Sequence, residues 1–140
     1  MSYSIEIKGL KELQNNFKKS PVMVTKELVG AIKTSIHIIR PMMVKEAPHD
    51  TGELRKNIYA RQIGLTGTVG PDLNKTPYAL YVNYGTSPYI IRNGWGKGIL
   101  INHPGIKANP FMQRTVDEMT PIVQKIFEKT ISNIINKLAK

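Results

Sequence analysis

The sequence predicts an α+β fold, an antiparallel sheet of short strands and hairpins packed against a long central helix and a C-terminal helix. Two observations carry that reading. Two long stretches, from Pro21 toward Pro48 and from Pro110 onward, place apolar residues at steps of three and four, the period of an amphipathic helix. Between them, short apolar runs are broken by Gly-containing pairs and tips, the signature of hairpins. With 140 residues, 41% of them apolar, and no Cys, the chain is expected to form one domain over residues 1–140, held by packing rather than by disulfides.

At the N-terminus Tyr3, Ile5 and Ile7 alternate with polar residues and stop at Gly9, predicting a short half-buried strand. Leu10, Leu13 and Phe17 predict a first helix closed by Lys18-Lys19-Ser20, cations that suit the negative end of the helix dipole. Ser20-Pro21 then supplies an N-cap and a Pro at the first helical position. Val24, Leu28, Ile32, Ile36, Ile39 and Met43 form one apolar stripe, with a kink or local break expected at Pro41 and an end before Pro48. Asp50 is expected to cap a short helix begun by Thr51, with Glu53 in its first turn. Asn57–Ile63 and Thr66–Gly70 flank Gly64-Leu65 as a hairpin, and Pro77–Tyr84 reads as a short helix closing at Gly85. Tyr89–Arg92 and Ile99–Asn102 bracket Asn93-Gly94-Trp95-Gly96-Lys97-Gly98 as a second hairpin with a flexible tip.

Asn109-Pro110 repeats the cap-then-Pro device. Met112, Val116, Met119, Val123 and Ile126 begin a stripe that Phe127, Ile131, Ile134 and Leu138 continue with a phase slip. A straight helix from Pro110 onward would be ~45 Å long, against the ~37 Å expected across a compact chain of this size. It is therefore expected to bend at Pro121, with Thr120 as a fresh N-cap, or to leave the domain.

The formal net charge is +10, and no acidic residue falls between Asp72 and Asp117, where Lys75, Arg92, Lys97, Lys107 and Arg114 lie. Such a window can meet phosphate, an acidic protein or water. No run of 18 apolar residues predicts a membrane span, and no secretory signal is expected. Candidate chemistry is sparse. His37 lies one position off the apolar stripe, where a partly buried, satisfied His is the ordinary outcome; His49-Asp50 are adjacent in a turn and point apart, and His103 precedes Pro104-Gly105 in another. No metal-ligand spacing, calcium loop or phosphate loop is present, so no cofactor, no metal and no catalytic residue is expected. Trp95 either folds onto the core or, with Tyr89, Arg92 and Lys97, belongs to an arm that contacts a base, a phosphate or a protein neighbour.

Three separated runs add a resemblance. Ala47-Pro48-His49-Asp50-Thr51-Gly52-Glu53-Leu54-Arg55, then Tyr78-Ala79-Leu80-Tyr81-Val82-Asn83-Tyr84-Gly85-Thr86, then His103-Pro104-Gly105 with Pro110-Phe111, in this order, resemble the tail-completion (neck, head-to-tail joining) family of long-tailed bacteriophages over roughly residues 20 to 125. Asn83 stands where that family commonly has an acid. The resemblance implies a non-enzymatic structural protein of phage or prophage that completes the tail and joins it to the head connector. It also implies a ring, six-fold, at the head-proximal end of the tail, contacting the tail terminator or tail-tube protein and head connector proteins. DNA would pass through it without sequence-specific binding. Its place would be the virion, after assembly in the host cytoplasm, with no membrane partner. The alternative is a basic nucleic-acid-binding domain using residues 75–114. A hydrolase built on His49 and Asp50 is the third class.

Overall fold

The computed structural model describes residues 3–6, 21–94 and 96–139. The continuation of the first strand to Ile7, the expected helix over Leu10–Ser20, and Trp95 lie outside them. The elements are β1 (Tyr3–Glu6), α1 (Pro21–Glu46), α2 (Glu53–Lys56), β2 (Ile58–Ile63), β3 (Thr66–Pro71), α3 (Ala79–Tyr84), β4 (Tyr89–Gly94), β5 (Ile99–His103) and α4 (Phe111–Leu138). The class is α+β, as the periodicities imply.

The predicted α1 stripe is the core: Val24, Leu28, Ile32, Ile36, Ile39 and Met43 are all buried. Burying each such side chain contributes roughly 1.5–3 kcal/mol. Ser35 is fully buried on the same face, and its hydroxyl donates to the Ala31 carbonyl at 2.8 Å, so no polar group there is left without a partner. His37 is exposed rather than partly buried, on the opposite side of the helix.

α1 and α4 run antiparallel. Glu27 and Lys137 pair at one end, Glu46 and Arg114 at the other. Phe111, Met112 and Met119 join the main core with Met43 and Ile39, while Ile134 packs with Val24 and Leu28 in a second cluster; Leu65 and Phe127 touch both. The far end of α4 thus stays on the body, and neither it nor α1 is interrupted at its Pro. Pro41 and Pro121 are exposed, and so are His37 and Asp117, whose carbonyls lose their helical donors. Water can take those carbonyls while the opposite face stays packed, so the ~3 kcal/mol penalty of an interior Pro does not break the helix. Thr120 starts no new helix: its hydroxyl donates back to Val116 O at 2.6 Å. The phase slip has a visible result, since Ile131 and Ile135 are 40% and 50% exposed.

The three-stranded sheet has the order β1-β3-β2, all antiparallel. Its central strand approaches α1 closely, because a Cβ at Gly67 would lie 2.6 Å from Ile36 Cγ2 and 2.7 Å from Ile32 Cγ2. Arg40 Nε donates to Ile58 O at 2.8 Å and Gln62 Nε2 to Val29 O at 3.0 Å, tying β2 to the helix. The β2–β3 turn is Gly64-Leu65 with Gly64 at φ 56°, as a two-residue hairpin requires. β4 and β5 form a separate two-stranded sheet.

Candidate functional site

The first two motif runs meet around one cleft. α1 ends as the Ala47 amide donates to Met43 O at 2.9 Å, and Ala47 is buried. Gly52, at φ 86°, turns the chain into α2, and the Lys56 amide donates to Gly52 O at 3.0 Å. Asp50 does not cap this helix, contrary to the sequence expectation: it is exposed and takes no hydrogen bond from the described residues, while Thr51 Oγ1 accepts weakly from the Glu53 amide at 3.4 Å. A left-handed Gly next to the helix start displaces the side chain that would have capped it. Among the described residues His49 and Asp50 share no hydrogen bond. Arg55, the last residue of the first run and given no role by the sequence, closes the junction by donating to Ala47 O at 2.8 Å and Lys45 O at 3.4 Å. A cation near the carbonyl end of α1 is the signal that could have found it.

The second run follows a turn in which Thr76, buried, donates through its hydroxyl to Asp72 O at 2.8 Å and accepts at its carbonyl from the Ala79 amide at 3.0 Å. That turn sets Ala79 into the core and leaves Tyr78, Tyr81 and Tyr84 on the exposed side of α3. Between the two runs lies a cavity of about 410 Å³, floored by Leu54, Pro48 and Val82 with Tyr78 at its wall. Asp50 and Glu53 line it with Lys75, two acids against one base.

The second and third runs form a clasp. Thr86 and Ile106 make an isolated antiparallel bridge, with Thr86 N–H donating to Ile106 O at 2.9 Å and Ile106 N–H to Thr86 O at 3.2 Å and to Thr86 Oγ1 at 2.9 Å. The two segments touch backbone to backbone. A Cβ at Gly85 would lie 2.6 Å from Ile106 O and one at Gly105 2.4 Å from Thr86 O, with φ of 74° and 84° respectively, so both positions demand Gly. Gly105 N–H donates to His103 Nδ1 at 3.0 Å across Pro104, and the His103 ring stacks on Tyr89 at 4.6 Å.

From this clasp the β4–β5 hairpin projects as an arm. One face carries Tyr89, Ile91, Ile101 and His103, mostly half-buried within the ribbon; the other carries Ile90 and Leu100, 58% and 68% exposed, with Arg92 and Asn102. A bulge falls between Ile91 and Gly94, where the Ile101 side chain lies so close that a Cβ at Gly94 would force it to move. Asn93 Oδ1 accepts from Gly98 N–H at 2.8 Å across the tip. Of the four candidate arm residues, Tyr89, Arg92 and Lys97 are exposed.

The third run also launches α4, but not as expected. Asn109 does not cap it and Pro110 is the capping position rather than the first helical residue. The acceptor is Asn83 Oδ1, 4% exposed, which takes the Met112 amide at 3.2 Å from α3. Asn109 is engaged through its backbone, donating to Val82 O at 2.9 Å, so α3 and the start of α4 are locked together and Phe111 enters the core.

The basic window is not uniformly available. Arg114 Nε donates to Glu46 Oε2 at 2.8 Å and its Nη2 to Glu46 O at 3.1 Å. Arg114 beside Glu46 holds that carboxyl below its usual value despite partial burial, while Glu118 is pushed up, first by hydrogen bonding to Glu46 and then by burial. Among the described residues no group of acids and His is placed to hold a metal ion, and no helix is long and apolar enough to cross a membrane.

A family model described as "Bacteriophage HK97-gp10, putative tail-component" matches residues 11–85, more than half of the chain. The protein belongs to the HK97 gp10-like family of phage tail components. The matched part contains α1, the cleft, the first run and the second run as far as Gly85, and stops short of Thr86, the third run and the arm. No curated protein and no solved structure matches the chain. As a phage tail component it acts among other structural proteins of the virion.

Proposed function

We propose that this tail component completes the tail and joins it to the head connector, as a single domain that forms a ring, six-fold, at the head-proximal end of the tail. In this reading the ring touches the tail terminator or tail-tube protein on one side and the connector on the other. DNA runs through its centre without base-specific contact, the subunit is assembled in the host cytoplasm, and no catalysis is involved. The observation that supports it is the arm. An isolated two-stranded ribbon is marginally stable in water, yet here one is rooted in a glycine-tight clasp and presents Ile90 and Leu100 to solvent. A subunit that keeps such a feature gains from it only when a neighbour covers it. The nucleic-acid reading is weaker, because Arg114 is held by Glu46 and Lys75 lines the same cleft as the acids Asp50 and Glu53.

The test is a phage lacking this gene. Its lysates should contain DNA-filled heads and full-length tails that remain separate, and adding the purified protein should restore joined, infectious particles. Joined particles in the absence of the protein would refute the reading.

A further inference from the structure

We propose that the arm of one subunit docks into the cleft between the first two motif runs of the next subunit, arm into cleft around the ring. This rests on the ring reading above and names the surfaces that make the ring. Three observations carry it. First, the two surfaces match in chemistry. The cleft is floored by Leu54, Pro48 and Val82 and lined by Asp50 and Glu53, while the exposed face of the arm pairs Ile90 and Leu100 with Arg92, and Lys97 stands at the tip. Second, the charges are available. Among the described residues no ion pair or hydrogen bond engages the side chains of Arg92, Lys97 or Asp50, and the Glu53 carboxylate takes a 3.4 Å contact from Asn57 Nδ2. Even with Lys75 at the margin the cleft keeps one net negative charge, opposite an arm that carries two positive charges and no acid. Third, the described residues leave this cleft open. About 410 Å³ stays open while Ile90 and Leu100 remain in solvent, and that volume lies within the range of pockets that bury whole ligands.

Arm and cleft are different patches of one chain. Their contact is therefore heterologous: each copy that receives an arm still offers its own, and the chain of contacts closes only by rotation into a ring. Exposed charge steers such a contact, and reversing one side juxtaposes like charges.

Two variants test this, an arm variant carrying Arg92→Glu with Lys97→Glu, and a cleft variant carrying Asp50→Lys with Glu53→Lys. Each alone should lower the restoration of infectious particles in the gene-deleted lysate by about tenfold or more, as like charges meet at every interface. Mixed in equal amounts they should recover most of the wild-type yield. In alternation the acidic arm meets a basic cleft, and the unaltered basic arm meets an unaltered acidic cleft. Melting curves like wild type establish that each variant folds; if the double cleft variant melts low, Asp50→Lys alone, at a carboxylate that takes no hydrogen bond from the described residues, takes its place. Full activity of either variant alone, or two inactive variants that do not complement when mixed, would overturn the docking while leaving the function intact. Joined particles in the unsupplemented lysate would overturn both.

Discussion

Replacing Asn83 by Ala removes the cap of α4 from a distance of 29 residues in sequence. The Met112 amide is the second helical donor after the capping position, the place where a side-chain acceptor ordinarily binds, and here its only acceptor is Asn83 Oδ1 at 3.2 Å. Loss of an N-cap costs ~0.5–2 kcal/mol. Asn83 and Met112 are 4% and 8% exposed, so water replaces the lost acceptor poorly, and an unsatisfied buried donor costs about 1–3 kcal/mol. These two figures describe the same amide and are not summed; an overall loss of ~1–3 kcal/mol is expected. For a chain of this length that lowers Tm by roughly 3–15 °C. Asn83→Asp keeps the acceptor and places a negative charge at the positive end of the helix dipole, against the cost of burying it, and so should lie closer to wild type than Asn83→Ala. The assay is thermal and urea unfolding, with hydrogen exchange read at the Met112 amide. An Asn83→Ala protein that melts within about 1 °C of wild type, with unchanged protection at Met112, would refute the cap.

Asp50→Ala should leave stability within about 0.5 kcal/mol of wild type by urea unfolding, since its exposed carboxylate takes no hydrogen bond from the described residues. Gly105→Ala puts a methyl 2.4 Å from Thr86 O at a φ of 84° and should cost ~1–3 kcal/mol or more, with faster amide exchange at Thr86 and Ile106. Glu118 has a raised carboxyl pKa in the folded protein, so its favourable contribution is complete below the unfolded value near 4.5 and is lost as pH rises through the folded value. Glu118→Gln should therefore raise Tm at pH 7, with the gain vanishing below about pH 4. Glu46 is shifted the opposite way, its contribution present at neutral pH and lost on acidification, so Glu46→Gln should lower Tm at pH 7.

What could be read in the sequence is what is written locally. The α1 stripe from Val24 to Met43, the Gly64-Leu65 hairpin and the Gly85 stop each depend on residues within one or two turns of each other, and each is found where the pattern places it. The misread features depend on contacts made across the chain. Asn109 is the right residue type beside the right helix start, but Asn83 reaches the Met112 amide instead, through a packing of α3 on α4 that no local spacing records. The local break allowed for at Pro41 is absent, and α4 runs on through Pro121, because both prolines face solvent while the opposite helix face stays packed. The cleft was invisible for the same reason: Leu54 and Val82 belong to separate runs, and only the fold brings them to one cavity with Asp50 and Glu53.

The arm leaves the body at Thr86 and returns at Ile106, and these two residues are hydrogen-bonded neighbours. The body therefore sees one fixed attachment point, whatever is strung between. Adding two residues to each strand would keep every side chain on its face, because the strand period is two, and would lengthen the ribbon by ~7 Å. Span can thus be tuned by insertion alone, with no compensating change in α1, α4 or the three-stranded sheet. A lineage that had to reach neighbours at a different distance could do so here, by paired insertions and deletions between residues 87 and 105, at a site where the helical body would not register the change.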